Sequence, residues 1–192
     1  MEEKSKRKRL LSSAYTLFKT KGLNKTTIQD IVDAAKVAKG TFYLYFEDKY
    51  HIQEELIIEK SKEIFNIALN ELYKQNINKF DDQIIFIVDY IVDYIQKEPE
   101  ILNFISKDLS LGLYQDKLNK LFEDNDLKIY DLFVKGIKAN NINIKRPEIT
   151  LFMIIEFVSA TCFSIITKKV DLSVDDYKPY LHSVIRHLIN NE

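Results

Sequence analysis

From Asp48 onward each segment of this chain carries apolar residues three and four apart, the spacing of one face of an α-helix. Asp48 to Leu72 does so with Ile52, Leu56, Ile57, Ile64, Ala68 and Leu72. Asp81 to Lys97 follows with a wide stripe of Ile84, Ile85, Ile87, Val88, Ile91, Val92 and Ile95, and Asp89 and Asp93 fall on its opposite face. That carboxylate pair reads as a solvated face rather than a metal site. Glu98-Pro99 ends the helix, Glu100 to Leu109 makes a short one, and Gln115 to Asn140 a long one with Leu118, Leu121, Phe122, Tyr130, Phe133 and Ile137. Pro147 stands where a first helical turn accepts proline, opening a helix that runs to Lys169. A last helix spans Val174 to Ile189, so the chain is expected to be all-α.

The N-terminal quarter is denser in signals. Ile28, Ile31, Val32 and Ala35 mark a helix over Thr27 to Ala34, with Thr26 or Thr27 placed to accept an orphan backbone N–H at its start. After a break at Lys36-Val37 comes Lys39-Gly40-Thr41-Phe42-Tyr43-Leu44-Tyr45-Phe46. Phe42 and Phe46, four apart, should enter the core. Thr41, Tyr43 and Tyr45 then point elsewhere, and outward tyrosine hydroxyls and ring edges suit phosphates and base edges. Taken singly these residues fit a solvated helical hairpin, but together they read as a helix-turn-helix whose second helix enters a major groove.

Ile28 to Lys49 resembles the DNA-binding signature of the tetracycline-repressor (TetR) family of bacterial regulators. In that family a helix like Arg9 to Lys21 packs on the two-helix reader, and the next helix starts near Lys49, whose ammonium binds a phosphate. The resemblance implies DNA contacts from Thr26 or Thr27, Lys39, Gly40, Thr41, Tyr43, Tyr45 and Lys49. It also implies a DNA-binding domain of three helices over residues 1–48. A helical ligand-binding and dimerisation body over 49–192 follows, giving about nine helices in all. Two positions depart from the family pattern. Lys36 stands where a glycine is usual, and left-handed φ costs a non-glycine residue roughly 1 kcal/mol. Ala38 stands where serine is usual, removing a cap or phosphate contact typically worth ~1 kcal/mol.

Charge sharpens this. The chain has 28 Lys+Arg against 29 Asp+Glu, yet residues 1–50 hold 11 basic and 6 acidic side chains, net +5, leaving net −6 for the rest. Lys4, Lys6, Arg7, Lys8 and Arg9 crowd the N-terminus, where they are expected to neutralise phosphates and release counterions. The acidic remainder would repel DNA. A single cysteine, Cys162, excludes an intrachain disulfide framework and fits a reducing cytosol, and no apolar run follows the basic N-terminus as a signal peptide needs. A cytoplasmic location is expected.

Ile149 to Thr167 approaches the length of a membrane span. Glu156 at its middle, with Ser159, Thr161 and Ser164, argues against lipid, so the helix is expected to be buried on all sides. The resemblance implies that the last two long helices pair with their symmetry mates, and the small residues Ser159, Ala160 and Ser164 would admit a close partner. A homodimer in turn fits a pseudo-palindromic operator. The resemblance further implies a small-molecule effector pocket, apolar in character, for which Tyr90, Tyr94, Phe104, Tyr130, Phe133, Phe152 and Glu156 are the candidate lining. Cys162 reads as an inert core residue and Glu156 as a carboxylate needing a partner or a raised pKa.

No catalytic or metal site is expected, and no cofactor. A di-metal carboxylate enzyme needs Glu-x-x-His pairs, whereas Asp48, Pro179 and Val184 precede His51, His182 and His187 by three. Gly-rich phosphate loops and Ser/His/Asp constellations are missing as well. The expected function is a ligand-responsive regulator, a repressor released from DNA by an apolar or amphipathic effector. The alternative is a helical adaptor or ligand-binding protein that kept the fold with weak DNA binding.

Overall fold

The computed structural model describes residues 2–103 and 129–190, with side chains from Ser5 to Ile101 and from Ile129 to Asn190. Its helices are α1 (Glu2–Lys21), α2 (Ile28–Ala35), α3 (Lys39–Tyr43), α4 (Lys49–Leu72), α5 (Phe80–Lys97), a 3-10 turn (Pro99–Asn103), α6 (Ile129–Ala139), α7 (Pro147–Ile166) and α8 (Val174–Asn190). The all-α expectation holds. The expected helices over 100–109 and 115–140 extend into residues outside the described ones, as do Phe104, Leu118, Leu121 and Phe122.

The chain forms two units, the first comprising residues up to Ser61 together with the return segment from Glu98. The division between the units passes through α4. Leu10, Leu11, Ala14 and Phe18 of α1 face Ile31, Val32 and Ala35 of α2, and Phe42, Phe46, Ile52, Leu56 and Ile101 complete this core. Each large side chain removed from water contributes about 1.5–3 kcal/mol. Gly22, at φ 77°, ends α1 with its N–H on the Phe18 carbonyl.

The second unit holds Lys62–Lys97 and the described residues from Ile129 on. Phe80, Val88, Val92, Phe133, Ile137, Leu151, Ile154, Leu181 and Ile185 form its main core, and Ala68, Leu72 and Ile87 a smaller one. Gly136 lets α6 approach Phe80: a Cβ there would sit 2.0 Å from the ring.

One expectation fails in this unit. The Asp-rich face of α5 is not simply solvated, because α8 lays a basic row along it. Lys178 Nζ lies 2.6 Å from Asp93, His182 Nε2 2.9 Å from Asp89, and Arg186 2.5 Å from Asp81 and 2.6 Å from Asp82. Burial opposes ionisation of Asp81, but the hydrogen bond and field of Arg186 outweigh it and hold its carboxyl below the ordinary range. Within one chain α7 is covered on one side, which leaves room for the expected partner helix. Leu151, Ile154, Cys162 and Ile165 form one buried stripe, while Ile149 and Met153 remain 43% and 45% exposed and Ser159 and Ala160 are exposed. By length and composition alone α7 could cross a membrane.

Candidate DNA interface

The reader begins with a cap. Thr27, extended at φ −102°, accepts the Asp30 N–H on its hydroxyl at 3.1 Å, and the Asp30 carboxylate receives the Thr27 N–H at 2.8 Å. The capping box satisfies two donors that a helix start otherwise orphans. Hydrogen bonds from the Thr27 backbone, and then from its hydroxyl, depress the Asp30 pKa. Thr26, the alternative, is fully buried and its hydroxyl donates to the Gly22 carbonyl at 2.9 Å. It is thereby removed from the expected DNA-facing set, and Thr27, exposed at the helix start, stays in it.

α2 ends at Lys36, which adopts φ 54° and ψ 50°, the left-handed turn that favours glycine. The departure noted in the sequence is thus a real conformational cost. Ala38, extended at φ −69° and ψ 148°, precedes α3 with no side-chain cap. The next five residues make little more than one turn, fixed by what their rings bury. Phe42 and Phe46 are 0% and 1% exposed with centroids 5.6 Å apart. Their burial turns Tyr43 outward, 53% exposed, alongside exposed Lys39 and Gly40 and half-buried Thr41 and Tyr45. The same rotation exposes Leu44 at 77%. Leu44 was missed in the sequence reading, although its place midway between two inward rings was the signal. An exposed leucine here offers an apolar surface suited to a thymine methyl.

Two cations expected on phosphates are engaged within the domain. Lys49 Nζ donates to the carbonyls of Leu23 at 3.0 Å, Thr26 at 3.2 Å and Asn24 at 3.5 Å, tying the α1–α2 connection to the start of α4. These contacts hold the ammonium against the domain's own backbone. Arg7 pairs with Glu55 and lies over the Phe46 ring, 5.6 Å from its centroid. His51 closes the same corner: its Nδ1 accepts the Glu47 N–H at 3.2 Å and its ring meets Phe46 edge-on. Lys8, Arg9, Lys36 and Lys39 are exposed instead and form no ion pair among the described residues.

The residues expected around an effector divide between the two apolar clusters of the second unit. Phe133 is 2% exposed and packs on Phe80 with centroids 5.5 Å apart, Tyr130 borders the same core, and Tyr90 stacks on Phe86 beside the smaller one. Tyr94 and Phe152 are half-buried, and Phe104 lies outside the described residues. Burial raises the Glu156 pKa, as its sequence position suggested. Burial also pushes the Cys162 thiol up to about 11, which makes it unreactive.

Residues 10–56 match the family model described as bacterial regulatory proteins, tetR family. The HTH-type regulator YuxN of Bacillus subtilis is 44% identical over 46 residues, covering 24% of this chain and 16% of that protein. The repressor KstR2 of Mycolicibacterium smegmatis is 40% identical over 53 residues, 28% of this chain and 26% of that one. These matches span well under two thirds of either relative. The biofilm-operon negative regulator IcaR of Staphylococcus epidermidis is 27% identical over 135 residues, 64% of this chain and 68% of that protein. Among solved structures, RolR in complex with resorcinol superposes with a TM-score of 0.71 at 16% identity, covering 98% of this chain and 89% of its own. FadR from Bacillus subtilis in complex with stearoyl-CoA gives 0.63 at 17% identity, covering 97% and 99%. At such identities the likeness carries the fold, an N-terminal helix-turn-helix domain followed by a helical one.

Proposed function

We propose that this chain, whose residues 10–56 match the tetR family of bacterial regulatory proteins, is a transcriptional repressor binding a pseudo-palindromic operator as a homodimer. One observation carries the reading: the segment from Lys39 to Phe46, whose two phenylalanines are buried, presents Lys39, Gly40, Tyr43 and Leu44 together to solvent. Such a surface fits base edges and phosphates.

The dimer is supported by the uncovered side of α7, where Ile149, Met153 and Ala160 are exposed, and by Tyr180 of α8 at 72% exposure. Pairing with a second copy would cover this surface and set two readers about one helical turn of DNA apart. Ala160→Arg should give monomers by light scattering while helicity is kept, and an unchanged dimer mass would move the interface elsewhere.

The effector is proposed to be apolar or amphipathic. It would bind among the aromatics of the second unit, with Glu156 as the polar group that orients it, and favour the state whose reader spacing misfits DNA. Structural relatives bound to stearoyl-CoA and to resorcinol support a ligand of that character. A cytoplasmic location follows from the function. Selection of bound fragments from the source genome tests the whole reading: recovery of a recurring inverted repeat is the expected result, and recovery without any shared motif would leave only an adaptor.

A further inference from the structure

Between α1 and the end of α2 the first unit holds a cleft of about 170 Å³ lined by Arg9, Ser12, Ser13, Ala34, Ala35 and Lys36. Liquid water occupies about 30 Å³ per molecule, so the cleft has room for a tetrahedral oxyanion with some of its hydration. Its walls have a one-sided chemistry. Arg9 and Lys36 come from different helices, and neither finds a carboxylate among the described residues. The Ser12 and Ser13 hydroxyls likewise have no hydrogen-bond partner there, and no acidic residue lines the cleft. A planar guanidinium fork, a point-charge ammonium and two hydroxyl donors facing one concavity suit phosphate oxygens.

A second observation is independent of the cleft. Lys36 holds φ 54°, a conformation glycine adopts without strain, and strained non-glycine residues concentrate where a side chain serves a partner. Glycine would make the better turn, but it would take one of the two cations out of the cleft. The strain and the charge therefore meet in one residue.

We propose that this cleft binds a phosphate group of the DNA backbone, beside the groove that Tyr43 and Leu44 enter. The assignment rests on the DNA-reading function above. Continuity favours the DNA source: Lys36 lies three residues before Lys39, and no acidic residue separates it from the start of α3. Arg9 differs from Arg7, which is held by Glu55.

The test uses the full chain, random-sequence duplex DNA and a salt series. Lys36→Gly should raise the thermal midpoint by ~2–4 °C, because the turn relaxes, yet lower DNA affinity and reduce the salt slope by about 0.9 per reader. Arg9→Gln should reduce the slope equally without the gain in midpoint. Opposite signs on stability and binding are what a structural lysine could not produce. Unchanged slopes in both variants would overturn the proposal even if Tyr43→Ala still lost operator binding. Failure of the unaltered chain to bind duplex at any salt would instead overturn the DNA reading, and the DNA source with it. A separate arm titrates inorganic phosphate against chloride at matched ionic strength and follows the Ser12 and Ser13 amide resonances. Shifts lost in the doubly substituted chain, together with reduced slopes on DNA, are the expected result. The same shifts with unchanged slopes would transfer the cleft to a free phosphate-bearing ligand and overturn its assignment to DNA.

Discussion

Charges in the two units are disposed in opposite ways. On α5 the aspartates Asp81, Asp82, Asp89 and Asp93 each meet a side chain of α8, with Arg186 shared by the first two, His182 beside the third and Lys178 beside the fourth. Around the reader Lys8, Arg9, Lys36 and Lys39 meet no carboxylate among the described residues. A charge neutralised within its own unit contributes to folding, modestly when exposed, whereas one left unmatched is available to a polyanion. Lys49 and Arg7 show why the distinction needs a structure. Both are cations of the reader, and both are engaged by its own carbonyls, carboxylate and ring.

Four substitutions would break or sharpen that contrast. The largest effect is expected from Tyr43→Ala, which removes an outward contact worth about 1–3 kcal/mol and so weakens operator binding ten- to hundredfold, with helicity and thermal midpoint unchanged. Equal affinity in a gel-shift titration would sink the reader assignment. Lys49→Ala comes next. With its ammonium on three carbonyls it should lower stability by about 1.5–2 kcal/mol, while leaving the salt slope of DNA binding unaltered. A lowered slope would return Lys49 to the phosphate contact that the sequence suggested.

Arg186→Ala should cost roughly 1 kcal/mol, discounted because the guanidinium is 42% exposed, and leave DNA affinity intact. Its signature lies in acid. Asp81 has a folded pKa below its unfolded value of about 3.9, so its contribution is present above that pH and is lost as pH falls through the folded value. Acid unfolding followed by circular dichroism should therefore lose this component in the variant, and coincident acid limbs would show that the pair adds nothing. The smallest effect belongs to Ala38→Ser. A hydroxyl at that extended position can accept an orphan N–H of α3 and should stabilise the fold by roughly 0.5–1 kcal/mol without loss of operator affinity. A lower midpoint would exclude the cap. Lost affinity would point to an apolar base contact by Ala38.

The helices and the inward phenylalanines were legible because local spacing decides them: rings four apart in a short helix share one face. The choice between Thr26 and Thr27 was not within reach, since Gln29 and Asp30 each stand three residues on as a capping partner. Nor was the ladder between α5 and α8, because its partners lie between 85 and 105 residues apart and nothing local tells a paired aspartate from a solvated one. For the same reason the ammonium of Lys49 could be assigned a phosphate, when its acceptors were carbonyls more than twenty residues upstream. For α7 the need for a partner was legible in the sequence, but the side left open was not. Uniform hydrophobicity along a helix does not reveal which stripe the chain covers itself.

The return of the chain at Glu98 bears on modularity. Lys19 of α1 pairs with Glu98 at 2.8 Å, and Ile101 in the 3-10 turn is 1% exposed within the same unit. The DNA-reading unit is thus discontinuous in sequence, and a fragment cut after Ser61 would lack the side chain that seals α1 and the carboxylate that neutralises Lys19. Grafting this reader onto another body, or exchanging bodies beneath it, would succeed only if the strap from Glu98 to Asn103 travelled with it. The constraint comes from a segment far in sequence from the helix-turn-helix itself.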